Sequence, residues 1–113
     1  MIKVNGKTVT MTRGDTCVLS IGIMDTNGTP YVPVEGDTVK FTLKKNYNDA
    51  TPLIQKIIPI DTMQLVIQPE DTKRLGQGQT KGKYVYDIEL TKADGTIDTF
   101  IPRGEWLILE EVG

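Results

Sequence analysis

The clearest alternation of apolar and polar positions in the chain lies between Gly82 and Thr91. Within this stretch every second residue is aromatic or aliphatic, and most of the residues between them are polar or charged. Alternation at a period of two, built from aromatic and branched residues, predicts a strand that buries one face. The residues predicted to be buried are Tyr84, Tyr86, Ile88 and Leu90.

Two earlier stretches show the same kind of alternation and predict two more strands of the same type. The first runs from Cys17 to Met24, and the second from Thr38 to Lys44. One face of each stretch is apolar, which is typical of a strand that packs one side on a core. The predicted inward residues are Cys17, Leu19, Ile21 and Ile23 in the first stretch and Val39, Phe41 and Leu43 in the second.

Shorter extended segments complete the predicted β-structure. Turn residues such as Asn-Gly, Asp-Gly and proline separate them. Val32 and Val34, in the connection between Pro30 and Gly36, are predicted to pack onto the core. The remaining predicted segments are Ile2 to Val4, Thr8 to Met11, Leu53 to Ile58, Met63 to Ile67, Ile97 to Pro102 and Glu105 to Glu110, with Arg103-Gly104 as a bend or bulge between the last two.

The stretch from Pro69 to Leu75 predicts a single helical turn. Proline stands at its first position, acidic residues follow, and basic residues and Gly76 close it. Proline suits the first position of a helix, because the N–H that it lacks would have no partner there. Acidic residues suit the first turn, because they interact favourably with the positive end of the helix dipole.

Taken together, these elements predict an all-β fold. About seven or eight short strands, separated by turns at intervals of about ten residues, are typical of an immunoglobulin-like antiparallel β-sandwich. The short helical turn near residues 69–75 lies between two of the strands. A chain of 113 residues is long enough for one core, so residues 1–113 are predicted to form a single domain. Tyr84 would be the corner tyrosine, with its hydroxyl bonded to backbone.

Composition argues against most enzyme chemistry. The chain has no histidine and only one cysteine, Cys17. A Ser-His or Cys-His nucleophile is therefore excluded, and the protein is predicted not to be an enzyme and to bind no metal or cofactor. Because its net charge is −2, the chain has no broad basic surface of the kind that binds nucleic acid or an anionic membrane. The amino terminus does not resemble a signal peptide, and a single cysteine suits synthesis in a reducing cytoplasm.

Several short motifs have a functional and a structural interpretation. Arg13-Gly14-Asp15 matches an adhesion tripeptide, but a turn between two strands explains it. The glycines between Gly76 and Gly82 do not have the spacing of a phosphate-binding loop. Asp25 to Gly28 and Asp94-Gly95 are predicted to be turns, and a calcium site assembled from loop carboxylates stays an alternative. Cys17 and Trp106 are predicted to be core residues.

The order of these segments resembles a known family. The resemblance begins with Met11 to Thr16 and continues with Asp25-x-Asn27-Gly28-x-Pro30-Tyr31. Later marks are Val39-x-Phe41-x-Leu43-Lys44, Pro52-Leu53-Ile54, Pro69-Glu70-Asp71-Thr72, Gly82-x-Tyr84-x-Tyr86-Asp87-Ile88 and Asp94-Gly95 before a strand with Arg103-Gly104. The chain is thus similar to the immunoglobulin-like amino-terminal domain of phage baseplate upper proteins, from about Met11 to Leu109.

This resemblance implies a structural role in the tail or baseplate of a phage or prophage of Gram-positive bacteria. The implied location is the virion, and the implied partners are other tail proteins or further copies of the chain. The family has no catalytic residues to carry over. Longer members continue into a linker and a second domain, whereas this sequence stops at Gly113.

The sequence therefore predicts a structural protein that acts by docking onto other proteins. The alternative is a carbohydrate-binding or adhesion module, a role that β-sandwiches of this size also serve. Candidate contact residues are the apolar ones that do not fit the predicted inward pattern. These are Ile58, Ile60, Leu107 and Leu109; the alternative is that loops or the second sheet cover them.

Overall fold

In the computed structural model of the protein, residues 2–5, 8–24, 29–73, 75 and 81–109 are described. This part of the chain is mostly β-structure with one short helix, which confirms the predicted all-β class. The strands are β1 (Ile2–Asn5), β2 (Thr8–Thr12), β3 (Cys17–Ser20), β4 (Ile23–Met24), β5 (Pro30–Tyr31), β6 (Thr38–Lys44), β7 (Ile54–Ile58), β8 (Gln64–Ile67), β9 (Lys81–Thr91) and β10 (Ile97–Leu109), and the helix is α1 (Pro69–Thr72).

The largest sheet has six strands in the order β1-β2-β10-β9-β6-β7. Strand β2 runs parallel to β10, and every other neighbouring pair in this sheet is antiparallel. The prediction of a purely antiparallel fold is therefore wrong at one pair. Parallel strands need a long connection, and β2 and β10 have most of the chain between them. Two further ladders pair β3 with β8 and β4 with β5.

The prediction of about seven or eight strands differs from the structure at three places. The stretch from Cys17 to Met24 is divided into β3 and β4, and Pro30–Tyr31 forms a short strand that pairs with β4. The two segments predicted after Ile97 are instead one strand, β10. Its register against β9 shifts twice between Thr99 and Gly104, so the predicted irregularity near Arg103-Gly104 is confirmed inside a continuous strand.

The predicted inward faces form one core. The buried residues of the six-stranded sheet and of the β3–β8 ladder belong to a single hydrophobic cluster. Leu19 and Ile21 are partly buried and pack against this cluster. The cluster contains Val9, Met11, Cys17, Ile23, Val39, Phe41, Leu43, Ile54, Ile58, Leu65, Ile67, Tyr84, Tyr86, Ile88, Leu90, Trp106 and Ile108.

Three aromatic rings lie at the centre of this core. The ring centroids of Phe41 and Tyr86 are 5.7 Å apart, those of Phe41 and Trp106 are 5.3 Å apart, and Tyr86 and Trp106 meet edge to face at 5.5 Å. The ring of Tyr86 also covers Gly104, its partner across the β9–β10 ladder. A Cβ atom at Gly104 would lie within 2.7 Å of Cδ1 of Tyr86 and closer still to Cε1 and Cζ. This position therefore requires glycine because the tyrosine ring occupies the space of a side chain.

The predicted helical turn is present but ends earlier than residue 75. Helix α1 begins at Pro69, and the backbone N–H of Gln68 donates to Oδ2 of Asp71 at 2.7 Å, which satisfies one donor ahead of the first turn. Thr72 is fully buried, and its hydroxyl accepts a hydrogen bond from the backbone N–H of Gly14 at 2.9 Å. That bond attaches α1 to the turn that follows β2.

The connection before β6 differs from its prediction. Val32 and Val34 are exposed by 75% and 60%, so the expectation that they pack onto the core is wrong. Pro33 is buried between them, because successive residues of an extended segment point to opposite sides.

The carboxylate of Asp37 holds this connection in place. It accepts hydrogen bonds from the Tyr31 hydroxyl at 2.5 Å and from the backbone N–H groups of Val34 at 3.0 Å and Ala93 at 3.2 Å.

Candidate interaction surfaces

The four predicted contact residues do not form one surface. Ile58 is only 1% exposed and lies in the core opposite Val39, so its predicted outward position is wrong. Its neighbour Ile57 is the exposed residue of the pair, at 62%. Two adjacent isoleucines carry no alternation, so the sequence alone could not show which of them points inward.

Ile60 is also a weaker candidate than predicted. It follows β7 in a turn that is closed by a hydrogen bond from the backbone N–H of Met63 to the carbonyl of Pro59 at 2.8 Å. Its side chain is partly buried and packs against the hydrophobic cluster. A partner could therefore touch only part of this side chain.

Leu107 and Leu109 lie together on the outer face of β10. Leu107 is half-buried and Leu109 is 37% exposed. On one side they are paired with Thr10 and Thr12 of β2, and Leu107 is paired with Lys83 of β9 on the other side. The result is a short apolar strip flanked by threonines. Two strands, β9 and β6, separate it from β7 and therefore from Ile58.

Elsewhere on the outer face of the large sheet, charged residues of both signs lie close to one another across neighbouring strands. Lys40 and Glu89 lie 3.6 Å apart across the β6–β9 pair, and Lys83 and Glu105 lie 3.6 Å apart across the β9–β10 pair. Burial and the nearby Glu89 raise the pKa of Asp87 above its usual value. These ion pairs are partly exposed and contribute little to stability. Asp87 and Glu89 on β9 are thus flanked by lysines of β6.

A groove of about 860 Å³ runs between β7 and α1. The ammonium of Lys56 crosses it to reach Oδ2 of Asp71 at 2.9 Å. The apolar residues of its walls are Leu53, Ile54 and Leu75. The groove is therefore lined by apolar and charged residues together, beside β7, which is the last strand of the six-stranded sheet.

Two of the other motifs in the sequence form turns. Arg13-Gly14-Asp15 forms a turn, with Gly14 at a φ of 85° and a hydrogen bond from the backbone N–H of Asp15 to the carbonyl of Thr12 at 3.1 Å. Asp94-Gly95 is the predicted hairpin turn, where the N–H of Lys92 donates to the carbonyl of Thr96 at 2.8 Å. Asp25 to Gly28 and residues 76–80 of the glycine-rich segment lie outside the described residues.

The two predicted core residues that could carry chemistry are confirmed as buried. Cys17 is fully buried, and burial raises the pKa of its thiol to about 11, which keeps it protonated and unreactive. Trp106 is 1% exposed. Tyr84 is buried as predicted, with the Lys45 ammonium 4.8 Å from the centroid of its ring. The hydrogen bond from its hydroxyl to backbone stays a prediction.

The structure reveals exposed apolar residues that the sequence reasoning missed. Ile57 and Ile97 are both 62% exposed, and Leu53 is 46% exposed. Ile97 follows a hairpin turn directly, and Leu53 follows a proline. Ile97 is the first residue of β10 and Leu53 immediately precedes β7, and this place at the beginning of a strand is the one signal in the sequence that these two residues need not point inward.

Comparison of the chain with family models, with curated proteins and with solved structures finds no match. In the described part of the chain, no helix is long and apolar enough to cross a membrane. A search of those same residues for groups of three or more potential metal ligands finds none.

Proposed function

We propose that the protein is a structural, non-enzymatic component of a phage or prophage tail that acts by docking onto other tail proteins. The observation that carries this proposal is the ordered series of motifs from Met11 to Leu109 that resembles baseplate upper proteins. The proposed location is accordingly the virion, after synthesis in the bacterial cytoplasm.

The strand order supports an immunoglobulin-like sandwich as the fold behind this role. In such folds the central strands C, F and G lie side by side in one sheet, and B pairs with E in the other. Strands β6, β9 and β10 lie side by side in that order, and β3 pairs with β8. Strand β7 would then be the additional strand next to C, and Tyr84 lies near the start of the strand equivalent to F.

The motifs that carry the resemblance lie on the structural elements that such a sandwich needs. Val39, Phe41 and Leu43 supply the buried side of β6, and Tyr84 and Tyr86 supply that of β9. Pro69 opens the helix between β8 and β9. The resemblance therefore rests on residues that build the scaffold, and partners would be contacted by the surfaces around it.

The proposed docking surface is the strip formed by Leu107 and Leu109 on β10. An apolar strip with a polar surround is the usual anatomy of a protein interface. Leu109 is the more exposed of the two, and Leu107 extends the strip toward the centre of the face. Because the neighbouring positions on β2 are threonines, a partner can approach the two leucines closely.

The test is to mix the purified protein with the tail proteins encoded beside it and to resolve the mixture by size-exclusion chromatography. We expect a complex that Leu109→Lys weakens at least about tenfold, a typical effect at an interface centre. Val32→Lys is the control, because Val32 is 75% exposed and lies in the connection between β5 and β6, not on β10. Failure of every neighbouring tail protein to form a complex would contradict the proposal.

The alternative of a carbohydrate-binding or adhesion module has no specific observation in its favour. Trp106, the one tryptophan, is buried in the core and offers no face to a sugar ring. Gly14, in the centre of the adhesion tripeptide, uses its N–H to bind the buried Thr72 hydroxyl. We therefore propose protein docking alone.

A further inference from the structure

A cavity of about 530 Å³ opens where β6 ends and the connection to β7 begins. Two lysines, two asparagines, a tyrosine and a valine form its described walls, and none of them is acidic. These residues are Lys45, Asn46, Tyr47, Asn48, Lys83 and Val85. The chain as a whole carries a net charge of −2. The cavity is therefore a locally positive site on a slightly acidic protein.

The ammonium of Lys45 is held in place without being neutralised. It donates a hydrogen bond to the carbonyl oxygen of Lys83 at 3.2 Å and lies 4.8 Å from the centroid of the Tyr84 ring. Tyr84 is only 4% exposed, so its ring is a fixed support for the cation. In the described part of the chain, no carboxylate forms an ion pair with Lys45. Because an ammonium has three N–H donors, Lys45 keeps donors for a further acceptor.

The carboxylates near the cavity leave room for that acceptor. Oδ2 of Asp49 accepts a hydrogen bond from the backbone N–H of Asn46 at 3.0 Å, which closes the turn after β6. Glu105 lies 3.6 Å from the ammonium of Lys83, but the side chains of this pair are exposed by 47% and 66%. An exposed ion pair contributes little, so Lys83 can leave it for an acceptor in the cavity at small cost.

The cavity borders the strip formed by Leu107 and Leu109. Lys83 lies opposite Leu107 across the β9–β10 pair, and Lys45 follows β6 on the other side of β9. Neighbouring strands are about 4.8 Å apart, so about 10 Å separates the strand of Leu107 from the strand that leads into Lys45. An extended segment of about three residues covers this span. A partner that rests on the leucines can therefore also reach the cavity.

The charge of the cavity selects an acidic side chain. The net charge of −2 disfavours a polyanion, whereas a single carboxylate would meet both Lys45 and Lys83 at close range. We propose that the cavity receives the carboxylate of an aspartate or glutamate from the protein that docks on the strip. This inference rests on the proposed docking and adds the chemistry of the partner, which is an apolar contact with an acidic residue beside it.

The first experiment measures the dissociation constant of the complex with the neighbouring tail protein at about 50 mM and about 300 mM salt. Lys45→Met keeps the aliphatic chain and removes the charge. We expect it to raise the dissociation constant at least about fivefold at low salt and less at high salt, because salt screens the lost attraction. Lys40→Met is the matched control. It changes the net charge equally, but Lys40 is paired with Glu89 at 3.6 Å and does not line the cavity, so the constant should change less than about twofold.

The second experiment needs no partner. N-acetylglutamate N-methylamide is titrated to about 100 mM into the isotope-labelled full chain at constant ionic strength, with the neutral glutamine analogue as its control. We expect saturable shifts of the amide NMR signals of Tyr47 and Lys83, which the glutamine analogue does not cause and which Lys45→Met abolishes.

The outcomes separate this inference from the proposed docking. A complex that Lys45→Met and Lys40→Met weaken equally would overturn the inference and leave the docking intact. Absence of carboxylate-specific shifts would also overturn it, whatever tail protein binds. Larger shifts with inorganic phosphate than with the carboxylate would assign the cavity to another anion and contradict it. Carboxylate-specific shifts without any complex would support the cavity as a carboxylate site and contradict the docking proposal.

Discussion

Replacement of Gly104 by alanine tests how tightly the aromatic core is packed. A Cβ atom there would lie within 2.7 Å of three ring atoms of Tyr86. The ring cannot easily move aside, because Phe41 and Trp106 lie against it at centroid distances of 5.7 and 5.5 Å. The extra methyl group must therefore shift either the ring or the β9–β10 ladder.

The expected cost follows from the size of this overlap. Adding a methyl group to a well-packed core typically costs about 1–3 kcal/mol, and the rigid surroundings of Tyr86 place this case near about 2–3 kcal/mol. For a chain of this length, 1 kcal/mol corresponds to roughly 4 °C in melting temperature, so Gly104→Ala should melt about 10 °C below the wild type. Thermal unfolding followed by circular dichroism measures this shift.

Gly22→Ala is the matched control. No atom lies within 4 Å of a Cβ atom at Gly22, and its φ is not in the left-handed region. Its melting temperature should be unchanged or slightly higher, because alanine restricts the unfolded chain. In a Tyr86→Leu background, which removes the ring, Gly104→Ala should cost less than about 0.5 kcal/mol. If Gly104→Ala melts like Gly22→Ala, the tyrosine ring does not occupy the position described.

The remaining predictions concern three buried groups. Thr72→Val should lower the free energy of unfolding by about 1–3 kcal/mol, because it leaves the N–H of Gly14 without its acceptor; Thr72→Ser keeps the hydroxyl and should cost clearly less in urea unfolding. The hydrogen bond from Tyr31 holds the pKa of Asp37 below its usual value, so its stabilisation is present above the unfolded-state pKa and is lost as pH falls through the folded-state pKa. Asp37→Asn should therefore lower the melting temperature at pH 7 and show a smaller further loss below about pH 4 than the wild type; equal acid losses would contradict this assignment. Cys17 should not react with Ellman's reagent in the native protein at pH 8 and should react fully after denaturation, whereas rapid native reaction would show that it is accessible.

The parts of the fold with strict alternation could be predicted from the sequence. The alternate apolar residues from Tyr84 to Leu90 and from Val39 to Leu43 are buried as their spacing indicates, although Thr42 on the opposite face of β6 is buried as well. The helical turn could be predicted from Pro69 and the acidic residues after it, although it ends at Thr72. In each case the deciding interactions are local.

Features that depend on distant pairing could not be predicted in this way. The parallel pairing of β2 with β10 joins the two ends of the chain and leaves no mark in either segment. The choice between Ile57 and Ile58 is made by the register of β7 against β6, where Ile58 lies opposite Val39. Val32 and Val34 are exposed while Pro33 between them is buried, and the hydrogen bond from the Val34 N–H to Asp37 fixes this connection in a way that no periodic pattern indicates.

The most direct test of the proposed role in a tail is to measure which proteins purified tail particles contain. Phage particles or tails induced from a bacterial strain that carries the gene for this chain should be purified and analysed by quantitative mass spectrometry. The proposal predicts that the chain is present in a fixed ratio to the other tail proteins and stays with them through a density gradient. Purified tails that lack the chain, while the same lysate contains it in the soluble fraction, would contradict the proposal.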